Sequence, residues 1–213
     1  MNNKINATGS VPGNDLPIWD LSDLYPSTDS SELERDLETV RVESDQFSQS
    51  YKGKLAKLGP GEFGDAIQSF ENLNECLSRI MSFAQLLFSA NSEDPAVAAF
   101  YQNVSERATA LSAKTLFFEL EINRLEENEV EAFISFPTVQ RYRPWLAAVR
   151  VNKPYQLSDD VERILHEKSV TGRSAWSRLF DETMAGLRFK LHGRELTNSE
   201  IMTRMSDAKE ANR

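Results

Sequence analysis

Apolar residues recur three and four positions apart along most of this chain, and alternate in only one late stretch. Leu33, Leu37, Val40, Phe47 and Tyr51 fall near heptad spacing, which predicts a helix with one apolar face. Ser31 with Glu34 supplies a capping-box pattern at its start. The segment from Lys52 to Gly64 interrupts the periodicity. A second helix comes next, with Phe63, Ile67, Phe70, Leu73, Leu77, Ile80, Met81, Ala84, Leu87 and Phe88 on a face broad enough to predict burial on more than one side. Asn91 to Pro95 predicts a turn, and Pro95 suits the first turn of a third helix, where its missing N–H is not needed. That helix carries Val97, Phe100, Tyr101, Val104, Ala108, Leu111, Phe118, Ile122 and Leu125. Two long helices joined by a short link favour an antiparallel hairpin.

Beyond it the pattern shortens. Glu129 to Phe136 predicts a small helix ended by Pro137, and Pro144 and Pro154 punctuate the next stretch. Leu157-Ser158-Asp159-Asp160 is a helix start, with Ser158 as cap and two acids at the positive helix end. Val161, Ile164 and Leu165 form its apolar stripe. Gly172 interrupts, and Trp176, Leu179, Phe180, Met184 and Leu187 resume a helical period. Then Leu187, Phe189 and Leu191 alternate with Arg188, Lys190 and His192, and Gly193 offers a turn into Arg194-Glu195-Leu196, which predicts a small β-hairpin. Thr197 and Glu200 form a capping box for a last helix through Ile201, Met202 and Met205, which no Gly or Pro closes before Arg213. The expectation is a mainly α protein of long antiparallel helical hairpins with one small β-hairpin. It divides into a flexible leader (1–17, with Gly9, Pro12, Gly13 and Pro17), a helical hairpin region (18–126), and a helical region with the β-hairpin (127–213) that reads as truncated.

Composition narrows the function classes. Of 213 residues, 24 are Lys or Arg and 33 are Asp or Glu, a formal charge of -9, which argues against a phosphate-binding or anionic-membrane face. No stretch approaches the ~20 apolar residues that span a bilayer. Met1 to Asn14 lacks an apolar secretory core, and Cys76 is the only cysteine, so a reducing cytoplasm is expected. Asn6-Ala7-Thr8 and Asn103-Val104-Ser105 match the glycosylation pattern only by chance on that reading. Cys76 lies among apolar helix positions and reads as a small core or boundary residue.

Candidate chemistry is sparse. His166-Glu167-Lys168-Ser169-Val170 begins like HExxH, whose two histidines share a metal from one helix face, but Val170 stands where the second ligand belongs. His192, the only other histidine, falls at the hairpin turn. Gly59-Pro60-Gly61-Glu62-Phe63-Gly64 matches GxGxxG, yet no strand precedes it and Glu62 would repel phosphate, so it reads as a loop between helices. The acidic groups Asp159-Asp160-Glu162 and Glu126-Glu127-Asn128-Glu129 suit a helix start and a polar junction. Arg141, Arg143 and Arg150 suit salt bridges between helices rather than a carboxylate ligand or an aromatic stack. No catalytic, cofactor-binding or metal-ligating residue is assigned.

Trp19-Asp20-Leu21-Ser22-Asp23-Leu24-Tyr25-Pro26 adds more than its local chemistry, which is that of turn formers (Asp20, Ser22, Asp23) and apolar anchors (Trp19, Leu21, Leu24, Tyr25). Together with Arg79 and Phe83-Ala84-Gln85-Leu86, Arg143-Pro144-Trp145-Leu146, Tyr155-Gln156-Leu157-Ser158, and the run from Thr171-Gly172-Arg173 through Ala175-Trp176 to Phe180-Asp181, it resembles the amino-terminal region of the oligoendopeptidase F family, zinc peptidases of the thimet-oligopeptidase-like clan. The resemblance implies the leading lobe of a two-lobed helical peptidase whose enclosed channel admits short peptides. It places the zinc, its HExxH histidines and a downstream glutamate beyond the equivalent of Arg213, so zinc belongs to the complete enzyme and none is expected in this chain. The implied chemistry of that enzyme is hydrolysis by a zinc-activated water, with the motif glutamate as base. The implied partners are oligopeptides and the carboxy-terminal catalytic region. The alternative is a free-standing helical interaction module without activity. A third expectation is that Phe83, Leu87 and Phe118 belong to a face packing on missing parts, leaving the lone chain poorly folded.

Overall fold

A computed structural model describes residues 19–206; the expected leader, Asn6-Ala7-Thr8 and the expected continuation of the last helix over 207–213 lie outside the described residues. Three long helices come first: α1 (Ser31–Tyr51), α2 (Pro60–Ala90) and α3 (Pro95–Thr115). Each packs against the other two, and α2 and α3, joined by Asn91–Asp94, form the expected helical hairpin. Four shorter helices come after them: α4 (Phe117–Arg124), α5 (Glu127–Ile134), α6 (Pro137–Gln140) and α7 (Arg143–Arg150). Then come α8 (Asp159–Lys168), α9 (Arg173–Gly186), strands β1 (Arg188–Leu191) and β2 (Arg194–Thr197), and α10 (Asn198–Met205). β1 and β2 pair antiparallel with Leu191 opposite Arg194. His192 and Gly193 both have positive φ, the twist a two-residue hairpin turn requires. The fold is therefore mainly α with one small hairpin among the described residues.

Local chemistry moves several boundaries. The cap of α1 is Ser30, not Ser31: Ser30 is extended and its hydroxyl accepts from the Leu33 N–H, while Ser31 is already helical and turns to Glu32. Gly59-Pro60-Gly61-Glu62-Phe63-Gly64 is no loop. Pro60 supplies a φ suited to the first helical position, and Glu62 accepts from the Gly59 N–H at 2.8 Å, so the helix opens there. Gly64 lets α6 approach closely, since an added Cβ would lie 3.0 Å from Thr138 Oγ1. The third predicted helix breaks at Leu116; α5 ends at Ile134, ahead of Pro137, which opens α6, and Pro144 lies in the first turn of α7. Ser158 holds the cap position of α8 without a side-chain bond; Glu162 accepts from the Leu157 N–H instead.

One core cluster runs from Leu21 to Leu146, drawing on α1 to α7. At its centre Phe118, fully buried, meets Phe47 at 5.1 Å, Phe70 at 4.9 Å and Trp145 at 6.3 Å between ring centres. Phe83 and Leu87 are also sealed in this core, so the expectation that these three face missing parts is wrong: α2 presents apolar groups on more than one side because α1 and α3 cover it. The open apolar surface lies later. Val161, Ile164 and Leu165 on α8 and Trp176, Leu179 and Phe180 on α9 are all exposed.

The aromatic block anchors the lobe through Leu21 and Tyr25; Trp19 stays exposed. The Asp20 carboxylate accepts from the Ser22 N–H, the expected turn. Tyr25 packs edge-on against Phe83, donates its hydroxyl to Asp36 at 2.8 Å and accepts from Arg79 Nε at 3.1 Å, while Arg79 also pairs with Asp36. Burial, and then the bond to Asp36, push the Tyr25 hydroxyl well above the ordinary tyrosine range, against the opposing pull of Arg79. Tyr25→Phe is expected to lower stability by about 1–2 kcal/mol in urea unfolding. Because the folded state favours the protonated phenol, its contribution is present below the unfolded tyrosine pKa of about 10 and fades as pH rises past it. The gap between wild type and Tyr25→Phe should therefore narrow in alkali.

Candidate functional site

The half-HExxH histidine does find partners, though not metal ligands. His166 on α8 sits with Nε2 2.8 Å from Ser112 Oγ on α3, across 54 positions of sequence. Glu119 on α4 lies close enough to interact electrostatically with His166; burial pushes the Glu119 carboxyl up, and the histidine opposes that. Serine, histidine and glutamate thus stand near one another. The Ser112 hydroxyl has two acceptors in reach, the Thr109 carbonyl at 3.1 Å and, in the tautomer with Nε2 unprotonated, the imidazole at 2.8 Å; in the other tautomer the imidazole donates to Oγ. Only the first tautomer makes the histidine a base for the serine, and among the described residues no group is seen to hold it. The arrangement is a polar pin holding α8 against α3. Neither Ser112 nor Glu119 was marked by sequence, since each is an ordinary helix residue until α8 folds back onto them.

The remaining candidates are engaged in structure. Arg141 pairs with Glu71 at 3.8 Å and lies over the Tyr142 ring at 4.5 Å. Arg143 pairs with Glu131 at 3.6 Å, and Arg150 with Glu127 at 2.8 Å. Arg150 also donates from Nη1 to the carbonyls of Ile122 (2.8 Å) and Leu125 (3.0 Å), with Lys153 Nζ reaching Leu125 and Gln156 Nε2 reaching Leu120, both at 3.1 Å. Three side chains thus close the carboxyl end of α4, where free carbonyls and the negative dipole end gather. Asp159 pairs with Arg124, and Asp160 with Arg163. Glu126 and Glu129 make the capping box of α5. Cys76 packs at the core's edge, and burial pushes its thiol up, away from the reactive thiolate.

A crevice of about 350 Å³ lies between α1, α3 and α8, with Phe117 and Leu120 among its apolar lining. Most of its charges are paired, Lys114 to Asp45 at 2.7 Å, Arg163 to Glu167 at 3.3 Å and Asp159 to Arg124, so it is a helix junction held by ion pairs. Among the described residues no three His, Cys, Asp or Glu side chains converge to hold a metal, and no helix is long and apolar enough to cross a membrane.

The sequence profile of the family described as Oligopeptidase F matches residues 121–189, the stretch from α4 to the first strand. Group B oligopeptidase PepB of Streptococcus agalactiae serotype III (strain NEM316) is 31% identical over 155 residues, covering 69% of this chain and 24% of that protein. An oligoendopeptidase F homolog of Borreliella burgdorferi (strain ATCC 35210 / DSM 4680 / CIP 102532 / B31) is 22% identical over 187 residues, 87% of this chain and 31% of its own length. The fold matches the crystal structure of oligoendopeptidase-F from Enterococcus faecium with a TM-score of 0.73 at 19% identity, over 85% of this chain and 36% of that one. The chain thus spans about a quarter to a third of the relatives it matches. By sequence and by fold, this chain is related to the amino-terminal region of the oligoendopeptidase F family.

Proposed function

We propose that this chain is the non-catalytic amino-terminal part of a zinc-dependent oligoendopeptidase acting on short peptides in the cytoplasm. The observation that carries this reading is the match of residues 121–189 to the Oligopeptidase F profile, supported by two relatives aligned over 155 and 187 residues. The residues present do not fit zinc: the position four after His166 is Val170, and His166 Nε2 is already bonded to Ser112. No catalytic step is therefore assigned to this chain. Its part is to build one wall of the substrate channel, and a rigid aromatic core suits that task, because a wall limits substrate size only if it holds its shape.

The test is direct. The purified chain, with zinc added, is expected to leave a fluorogenic oligopeptide intact, whereas zinc-dependent turnover above the buffer rate would overturn the assignment. An in-frame HExxH in the DNA beyond codon 213 supports it. A stop at that point, with the product a stable monomer, would favour the free-standing interaction module.

A further inference from the structure

Six large apolar side chains on two helices remain exposed in the described chain. On α8 they are Val161, Ile164 and Leu165, and on α9 Trp176, Leu179 and Phe180; both sets have the i, i+3, i+4 spacing of a single face. Their exposures run from 42% to 71%. Scattered exposed apolar residues are ordinary, but two successive amphipathic helices with open stripes are not. The core does not need them, since its cluster closes between Leu21 and Leu146. Polar contacts pin the segment to the lobe at both ends: Ser112–His166 and Arg124–Asp159 hold α8, and Arg188 holds the β-hairpin to Glu93 at 2.6 Å. The stripes are thus displayed from a fixed support.

We propose that the α8–α9 stripes are the docking surface for the remaining two-thirds of an oligoendopeptidase, whether carried on the same chain or on another. This rests on the peptidase reading above. Two observations select this occupant. The Oligopeptidase F profile runs through both helices, so the face lies in the segment this chain shares with the family. The matched part makes up only 24% of PepB and 36% of the Enterococcus protein, so these relatives have ample further polypeptide to cover it. Apolar anchors led by a tryptophan and a phenylalanine also have the make-up of a durable interface centre.

Hydroxyl-radical footprinting tests the assignment. In the isolated chain Trp176 and Phe180 should oxidise at rates typical of solvent-exposed rings. In a chimera joining this chain to the part of PepB beyond its matched region, both should slow at least 5-fold. The double substitution Trp176→Glu with Phe180→Glu should prevent assembly when the PepB part is co-expressed as a separate chain, and leave the urea midpoint of the isolated chain unchanged. Unprotected Trp176 and Phe180 in a cooperatively melting chimera overturn the proposal, and so does an isolated chain that dimerises with the stripes shielded, which gives the face to a second copy. If the chimera does not fold, the same footprint on intact PepB, at the residues aligned with 176–180, decides by the same criterion. Peptide hydrolysis by the chimera separates the two ideas: shielding without hydrolysis sinks the peptidase reading alone, and hydrolysis with Trp176 still reactive sinks the docking alone.

Discussion

Phe118→Ala is expected to destabilise the chain by about 3–5 kcal/mol, the range for deleting a fully buried phenylalanine. Phe118 has no solvent exposure and stands among Phe47 from α1, Phe70 from α2, Phe117 beside it and Trp145 from α7. Four helices therefore lose packing at one point, and aromatic side chains cannot slide into a hole that size without leaving their rotamers. Domains of this size are stable by about 5–15 kcal/mol, so the loss takes a large share of the total. Phe118→Leu, which keeps most of the volume, should cost less than half as much. Urea unfolding followed by circular dichroism measures both. A Phe118→Ala midpoint equal to wild type would mean that the aromatic cluster does not hold these helices together.

That cluster was half legible in the sequence. The periodicity of Phe47, Phe70 and Phe118 marked each as facing inward, because a helix must bury its apolar stripe somewhere. It could not say that the three meet, since they lie on different helices and contact between them is a tertiary fact. The same gap explains the error over Phe83 and Leu87. An amphipathic pattern reports that a face seeks an apolar partner, not whether the partner lies within this chain, so Phe83 (buried) and Trp176 (exposed) look alike as sequence. Caps were read well where one geometry fits, as at Thr197 with Glu200. They were read one residue off where serines adjoin, as at Ser30 and Ser31. The break at Leu116 had no local mark, because Leu116, Phe117 and Phe118 continue an apolar run and no Gly or Pro interrupts it. Family resemblance reached further than physics over residues 171–181, where an exposed stripe carries no chemistry of its own. The polar pin of Ser112 and His166 is not legible in the sequence, as its members lie 54 positions apart and His166 stands out there only as half of a metal motif.

Arg150 gives the second large effect, and it separates charge from geometry. Its side chain is 11% exposed, and it bridges the Ile122 and Leu125 carbonyls and the Glu127 carboxylate. Arg150→Met keeps most of the apolar stem but removes one of the two donors on each of two helix-end carbonyls, Ile122 keeping the Leu125 N–H and Leu125 keeping Lys153, and leaves Glu127 without its partner. Hydrogen bonds to charged groups contribute about 1.5–3 kcal/mol net, so a loss of about 2–3 kcal/mol is expected from the three that are removed. Arg150→Lys restores the charge at the negative end of α4 but not the fork that lets one nitrogen reach two carbonyls while the other reaches Glu127. If the dipole dominates, lysine should recover nearly all of the stability. If the forked geometry dominates, it should recover less than half, which is the outcome expected here, since two of the three bonds come from Nη1 and the third from Nη2. Hydrogen exchange supplies the local check. The amides of α7 should exchange faster in Arg150→Met while those in the middle of α2 keep pace with the global loss. An unchanged α7 would show that its hold on α4 comes from Leu146 and Trp145 in the core, with the arginine merely covering the helix end.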